Sequence, residues 1–245
     1  MNNNATIEKM QQLRLFGMLS AFQSILKNPA TANYTNDELL SHLIEAECLD
    51  RDNRKYKRLL KNAGFRYTTG METIDYNPQR NLNKNQIARL ADCSFILRGE
   101  NIIITGATGT GKSYFVSALG HQACLRGYKV MYYNTAKLLT KLRMAQADQS
   151  YLKEITKIEK QDLLILDDFG LKPFDTTNRL ALLDIIEDRH IGKATIITSQ
   201  IPIGDWHNVI GEATIADAIL DRIVHVAHKI ELEGDTMRKN KKIKT

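Results

Sequence analysis

The 245-residue sequence predicts an α/β fold: a parallel five-stranded sheet sandwiched by helices, preceded by a small all-helical module. Three observations carry that expectation. From residue 101 onward, apolar runs that read as buried strands alternate with amphipathic helical segments. One of those strands empties into a glycine-rich turn with P-loop spacing. The first 66 residues, by contrast, place apolar side chains at three- and four-residue intervals, the period of a helix.

In chain order, Met10, Leu13, Leu15, Phe16, Met18, Leu19, Phe22, Ile25 and Leu26 form the first helical stripe, which Asn28-Pro29 ends. Thr35, with Glu38 three residues on, has the capping-box pattern and opens a second helix through Leu39, Leu40, Leu43, Ile44 and Cys48. Its later turns carry Arg51, Arg54, Lys55, Lys57, Arg58 and Lys61, until Ala63-Gly64 closes it. Residues 1–66 therefore read as a helical domain that binds DNA or a partner. Residues 67–98 contain Gly70, Pro78 and a short helix at 82–90, and read as a linker. Residues 99–245 form the α/β domain. Its strands are expected at 102–105, 129–133, 163–166, 194–199 and 228–232, and its helices at 113–124, 136–147, 151–160 and 177–190. Asp217–Val226 adds a further amphipathic segment.

Composition excludes several classes. Apolar residues make up 43% and charged residues 25%, the balance of an ordinary globular protein, so the chain is expected to fold. No apolar run approaches the roughly 18 residues of a membrane span. The polar start Met-Asn-Asn-Asn-Ala-Thr lacks a signal-peptide core, so a cytoplasmic location without membrane attachment is expected. Cys48, Cys93 and Cys124 are odd in number and widely spaced, which fits neither a disulfide framework nor a zinc site. The histidines show no metal-ligand or triad spacing, and Trp206 reads as a packing anchor. The net charge of +6 is unevenly placed: Arg51–Arg66 carries seven basic residues against Asp52, and Arg238–Thr245 carries five and no acid. Both stretches suit a phosphate backbone.

The chemistry begins at Gly106-Ala107-Thr108-Gly109-Thr110-Gly111-Lys112-Ser113. Glycines at this spacing free the backbone to curl, so that consecutive N–H groups point inward at phosphates, and the following helix adds its positive end. Lys112 would reach the β- and γ-phosphates of ATP and Ser113 would hold Mg²⁺. The run Leu163–Leu166 ends in Asp167-Asp168, and the carboxyl ends of parallel strands line one edge. Asp167 is then the candidate Mg²⁺ ligand, and Asp168 the acid that orients a water at the γ-phosphate. Thr198 and Ser199 end the next strand on that edge, where a hydroxyl could bind the γ-phosphate or the water. Arg222 lies among apolar neighbours and would serve as a finger in trans if subunits stack. Lys137 and Lys141, four apart on one helix face, join Arg51, Arg54, Lys55, Lys57, Arg58 and Lys61 as DNA-contact candidates.

Together, Gly106-Ala-Thr-Gly-Thr-Gly-Lys-Ser113, Leu163-Leu-Ile-Leu-Asp-Asp-Phe-Gly170, Thr198-Ser-Gln200 and Ala218-Ile-Leu-Asp-Arg222 resemble the IstB family of insertion-sequence ATP-binding proteins. These are AAA+ relatives of the helicase loader DnaC and the initiator DnaA. Upstream, Leu13-Arg-Leu-Phe-Gly-Met18, Glu38-Leu-Leu40, Glu47 and Lys61-Asn-Ala-Gly-Phe65 extend the resemblance over nearly the whole chain. It implies a Mg²⁺-dependent AAA+ ATPase that assembles as a homo-oligomer on double-stranded DNA, with ATP sites between subunits. Such a protein remodels the target and presents it to a partner transposase. By position, the resemblance makes Lys112 and Ser113 the Walker A contacts, Asp167 the Mg²⁺ ligand, Asp168 the catalytic acid, Thr198 or Ser199 the first sensor and Arg222 the intersubunit finger. The chain departs from the wider pattern at Asp168, where many AAA+ proteins carry glutamate, and at Gly234-Asp-Thr-Met-Arg238, where related chains have Gly-Glu-Ser-Tyr-Arg. Thirteen residues follow Leu232, too few for a full helical lid, which leaves any second-sensor role for Arg238 open. Two other readings stay open. One is a loader of a replicative helicase that prefers single-stranded DNA; the other is a small-molecule kinase, which needs an acceptor pocket and a lid that the sequence does not show.

Overall fold

The computed structural model describes residues 3–28, 34–225, 227–234 and 236–237; Val226 and the basic tail from Arg238 lie outside the described residues. The chain divides into two compact units, Met1–Arg58 and Leu59–Thr245. The first holds α1 (Asn3–Gln12), α2 (Phe16–Lys27) and most of α3 (Asn36–Ala63). Sequence periodicity predicts one helix through Met10–Leu26, but the chain breaks at Arg14, which takes a left-handed φ of 58°. The cause lies thirty residues away. The Glu47 carboxylate accepts the N–H groups of Gly17 (2.9 Å) and Met18 (3.3 Å), two of the orphan donors that open a new helix. Gly17 is required there because a Cβ would stand 2.2 Å from the Ala46 carbonyl oxygen. α3 starts as its capping box predicts: the Glu38 N–H donates to Thr35 Oγ1 at 3.3 Å, and Glu38 Oε2 accepts the Thr35 N–H at 2.8 Å. It closes at Gly64, with φ of 70°.

The second unit is built on β1 (Asn101–Gly106), β2 (Val130–Asn134), β3 (Leu163–Phe169), β4 (Ala194–Ser199) and β5 (Ala227–Leu232), all parallel, in the order β2-β3-β4-β1-β5. All five expected strands are present. The three central strands are apolar on both faces because helices cover both. Between strands run α6 (Lys112–Leu125), α7 (Thr135–Ala147), α8 (Tyr151–Glu159) and α9 (Thr176–Arg189), then α10 (Trp206–Ile210) and α11 (Ala213–Val224). Strand periodicity sorts the core. Ile103, Leu164, Leu166 and Ile197 point at α7, α9 and α11, whereas Ile165 meets α6 beside Gly120. Trp206 is fully buried, donates Nε1–H to the Ile201 carbonyl at 3.0 Å and packs on Phe169.

Residues 67–98, expected as a linker, fold onto this unit. They form α4 (Lys84–Ala91) and α5 (Ser94–Arg98) and bury Ile87, Leu90, Phe95 and Ile96. Cys93 and Cys124 are buried free thiols, which burial pushes up to about 11 and about 12; Cys48 is exposed.

Candidate functional site

The parallel sheet brings every strand's carboxyl end to one edge, where the P-loop, Asp167, Asp168, Thr198 and Ser199 gather. The turn after β1 is left-handed at three glycines, with φ of 146° at Gly106, 91° at Gly109 and 89° at Gly111. At Gly106 no other residue fits, since a Cβ would lie 2.2 Å from the Leu232 carbonyl oxygen of β5. Lys112 curls back into this turn and donates from Nζ to the carbonyls of Gly106 (2.7 Å) and Ala107 (2.8 Å). Thr110 caps the same loop through the Ala107 carbonyl at 2.9 Å, and Thr108 bonds the Gln200 side chain beyond β4.

Asp167 is fully buried at the end of β3. Its Oδ1 accepts the hydroxyls of Ser113, at 3.0 Å, and Thr198; its Oδ2 accepts that of Tyr132. Burial, together with the charge of Asp167, drives the Tyr132 phenol well above its ordinary range, so it remains a donor. Asp168 follows at a φ of 58° where the β3–β4 register shifts, and this bulge turns its carboxylate out of the strand. There it accepts the Asn134 amide at 3.1 Å and meets Arg66 Nη1 at 3.4 Å; Arg66 also stands 3.6 Å from Asp167. A cavity of about 410 Å³ joins these parts, lined among others by Tyr67, Gly111, Lys112, Ser113, Asp168 and Gln200.

The donor set fits a metal-bound nucleoside triphosphate: a glycine-rich backbone turn and an ammonium for the phosphates, with a hydroxyl and a buried carboxylate in contact for a divalent cation. Thr198 and Ser199 separate in role. The Thr198 hydroxyl bridges Asp167 and the Asp168 N–H (3.0 Å), whereas Ser199 donates to the Phe169 carbonyl (2.9 Å) and accepts the Ile201 N–H, which commits its hydroxyl to the backbone. Arg222 is not part of this cluster. Asn101, the first residue of β1, bonds the Arg222 carbonyl at 3.2 Å, which places Arg222 at the amino edge of the sheet, opposite the P-loop. Its guanidinium is held by the Ala218 carbonyl (2.7 Å) and Glu187 (3.2 Å).

The basic candidates also divide. Arg51 pairs with Glu47 at 2.7 Å, Arg54 with Asp50 at 2.7 Å, and Lys141 with Glu154 at 2.5 Å. Lys55, Lys57, Arg58, Lys61 and Lys137 are exposed and make no ion pair among the described residues. Sequence reasoning missed Tyr132, Asn134, Arg66 and Arg80. Asn134 was accessible in principle, being the β2 residue in register with Asp167. Arg80, from the supposed linker, is buried and braces the P-loop through the Thr110 carbonyl at 2.9 Å.

A P-loop, a strand-borne acid pair and the sheet order β2-β3-β4-β1-β5 define an ATPase of the AAA+ class. Residues 8–245 match the family model described as IstB-like ATP binding protein, and the chain belongs to that family of insertion-sequence ATP-binding AAA+ ATPases. It is 38% identical over 240 residues to the insertion sequence ATP-binding protein y4pL of Sinorhizobium fredii, covering 98% of each chain. To the IS1162 ATP-binding protein of Pseudomonas fluorescens it is 39% identical over 198 residues, covering 80% of this chain and 86% of that one. Among solved structures, the DnaC helicase loader superposes with a TM-score of 0.56 at 18% identity, over 72% of this chain and 99% of that chain. AMPPCP-bound DnaA from Aquifex aeolicus superposes with a TM-score of 0.55 at 19% identity, over 70% and 53%. These two likenesses establish the fold. Among the described residues no helix is long and apolar enough to cross a membrane.

Proposed function

We propose that this protein is an ATP-dependent regulator of transposition, which assembles as a homo-oligomer on duplex DNA in the bacterial cytoplasm, remodels the target and recruits a partner transposase. The observation that carries the reading is the joining of Ser113, Asp167 and Thr198 in one hydrogen-bonded cluster beneath the P-loop, in a chain of insertion-sequence kinship. In this account Lys112 and the loop N–H groups bind the ATP phosphates, and Ser113 and Asp167 hold Mg²⁺. The cation supplies charge neutralisation at the phosphates. Asp168 orients the attacking water, Thr198 senses the γ-phosphate through its tie to Asp167, and Arg222 acts on the site of a neighbouring subunit. The unpaired cations Lys55, Lys57, Arg58 and Lys61 contact DNA phosphates.

The test is binding to labelled duplex DNA with ATP and Mg²⁺. Wild type is expected to bind tightly with a steep salt dependence, and the Lys112→Ala variant weakly. Equal binding by the two removes nucleotide gating. A preference for single strands with recovery of a replicative helicase from a pull-down, in place of a transposase, favours the loader reading instead.

A further inference from the structure

A second cleft, of about 680 Å³, opens beside the nucleotide cavity at the carboxyl end of the edge strand β2. Its lining includes Arg66, Lys137, Lys141 and Lys157, with Asp168 as the one acid among the described residues that form its wall. Glu154 answers Lys141 at 2.5 Å, and Asp168 answers Arg66 at 3.4 Å. Lys137 and Lys157 have no acid within salt-bridge distance among the described residues, so the cleft keeps an excess of positive charge on a concave wall, where the field is focused. The volume is that of a site for a ligand of many atoms, larger than a lone phosphate needs. Tyr133 supplies an aromatic face beside Lys141, at 5.7 Å, and Asn62 and Asn134 supply amides. Spaced cations, amides and a phenol are the groups with which proteins hold a nucleic-acid backbone. Lys61, on the last turn of α3, precedes the lining residues Asn62-Ala63-Gly64 directly in sequence.

Arg66 and Asp168 are the residues that line both cavities, and their ion pair forms the wall between them. We propose that this cleft is a second phosphate site, which holds the backbone of a nucleic-acid strand, and that Arg66 is shared between that strand and the Asp167–Asp168 acid pair. The proposal rests on the DNA reading above and deepens it. A backbone phosphate in the cleft competes for the guanidinium, draws it from Asp168 and frees that carboxylate to act on ATP. Arg66 is thus a positioning residue through which DNA occupancy sets the rate of turnover.

The test uses the full chain, ATP, Mg²⁺ and fluorescein-labelled duplex DNA, with anisotropy read over a salt series and phosphate release measured with and without DNA. The double variant Lys137→Ala/Lys157→Ala is expected to lose about tenfold in affinity, with a log-log salt slope shallower by about 2. A charge-matched double variant at the amino edge, Lys129→Ala/Lys193→Ala, should stay within about twofold of wild type. Arg66→Ala should lose only the few-fold in DNA affinity that about one phosphate contact carries, while the ratio of turnover with DNA to turnover without it falls to about one, the readout a purely structural role would not move. Unchanged affinity and slope in Lys137→Ala/Lys157→Ala, while wild type binds, overturns the cleft and leaves the DNA reading standing. Absence of binding by wild type overturns both. Displacement by a poly-glutamate peptide as effective as by an oligonucleotide assigns the cleft to an acidic protein segment and overturns the strand assignment. Full stimulation in Arg66→Ala overturns the sharing.

Discussion

Asp168 shows how one residue's backbone serves the site. A left-handed setting costs an ordinary side chain about 1–2 kcal/mol, a cost that aspartate tolerates better than most, and the bulge around it directs the carboxylate toward Arg66 and Asn134. If that carboxylate orients the water, Asp168→Asn should lower ATP turnover by about 100-fold or more, with nucleotide affinity within about threefold. Phosphate release and a fluorescent ATP analogue measure the two separately, and a parallel loss of affinity would assign Asp168 to binding. Gly106 makes a steric demand. Gly106→Ala should destabilise the fold by more than about 1 kcal/mol in a urea titration, because both its φ and the 2.2 Å approach to Leu232 reject a methyl group.

Among elements, what could be read from the sequence was what the chain encodes locally. The capping box of α3 lies within four residues, and the strands β1, β3 and β4 are continuous apolar runs, so both were legible. The break between α1 and α2 was not, because the carboxylate that caps α2 comes from Glu47. The placement of 67–98 was hidden for a related reason. Its short helices bury single side chains such as Ile87 and Phe95, and Arg80 finds its partners in Asp75 and Thr110 only once the fold is formed. At the site, Lys112, Ser113, Asp167 and Asp168 follow spacing rules, whereas Tyr132 and Arg66 reach the acids only through tertiary packing. The junction of α5 and β1 carries a pH signature. Hydrogen bonds from the Arg98 guanidinium hold Glu100 at about 2, below its ordinary 4.5, with His228 adding a further contact at 2.9 Å. The folded value is depressed, so the stabilisation is complete above 4.5 and is lost as pH falls from 4.5 to about 2. Thermal melts across that window should show a steeper acid loss for wild type than for Glu100→Gln; identical slopes would remove the role of this pair.

At the scale of the molecule, the sheet sets the P-loop and Arg222 on opposite edges of one subunit. If copies of the chain stack edge to edge, as proposed, one copy cannot bring its own Arg222 to its own nucleotide but can bring it to its neighbour's. On this account Arg222→Ala keeps ATP binding and loses turnover by about 1,000-fold. The central claim, an ATP site completed between subunits, is tested most directly by mixing Arg222→Ala protein with Lys112→Ala protein, each inactive alone, and measuring ATP hydrolysis on duplex DNA. The account predicts recovered turnover, since the intact P-loop of one variant meets the intact arginine of the other. A mixture no more active than its separate components would contradict it.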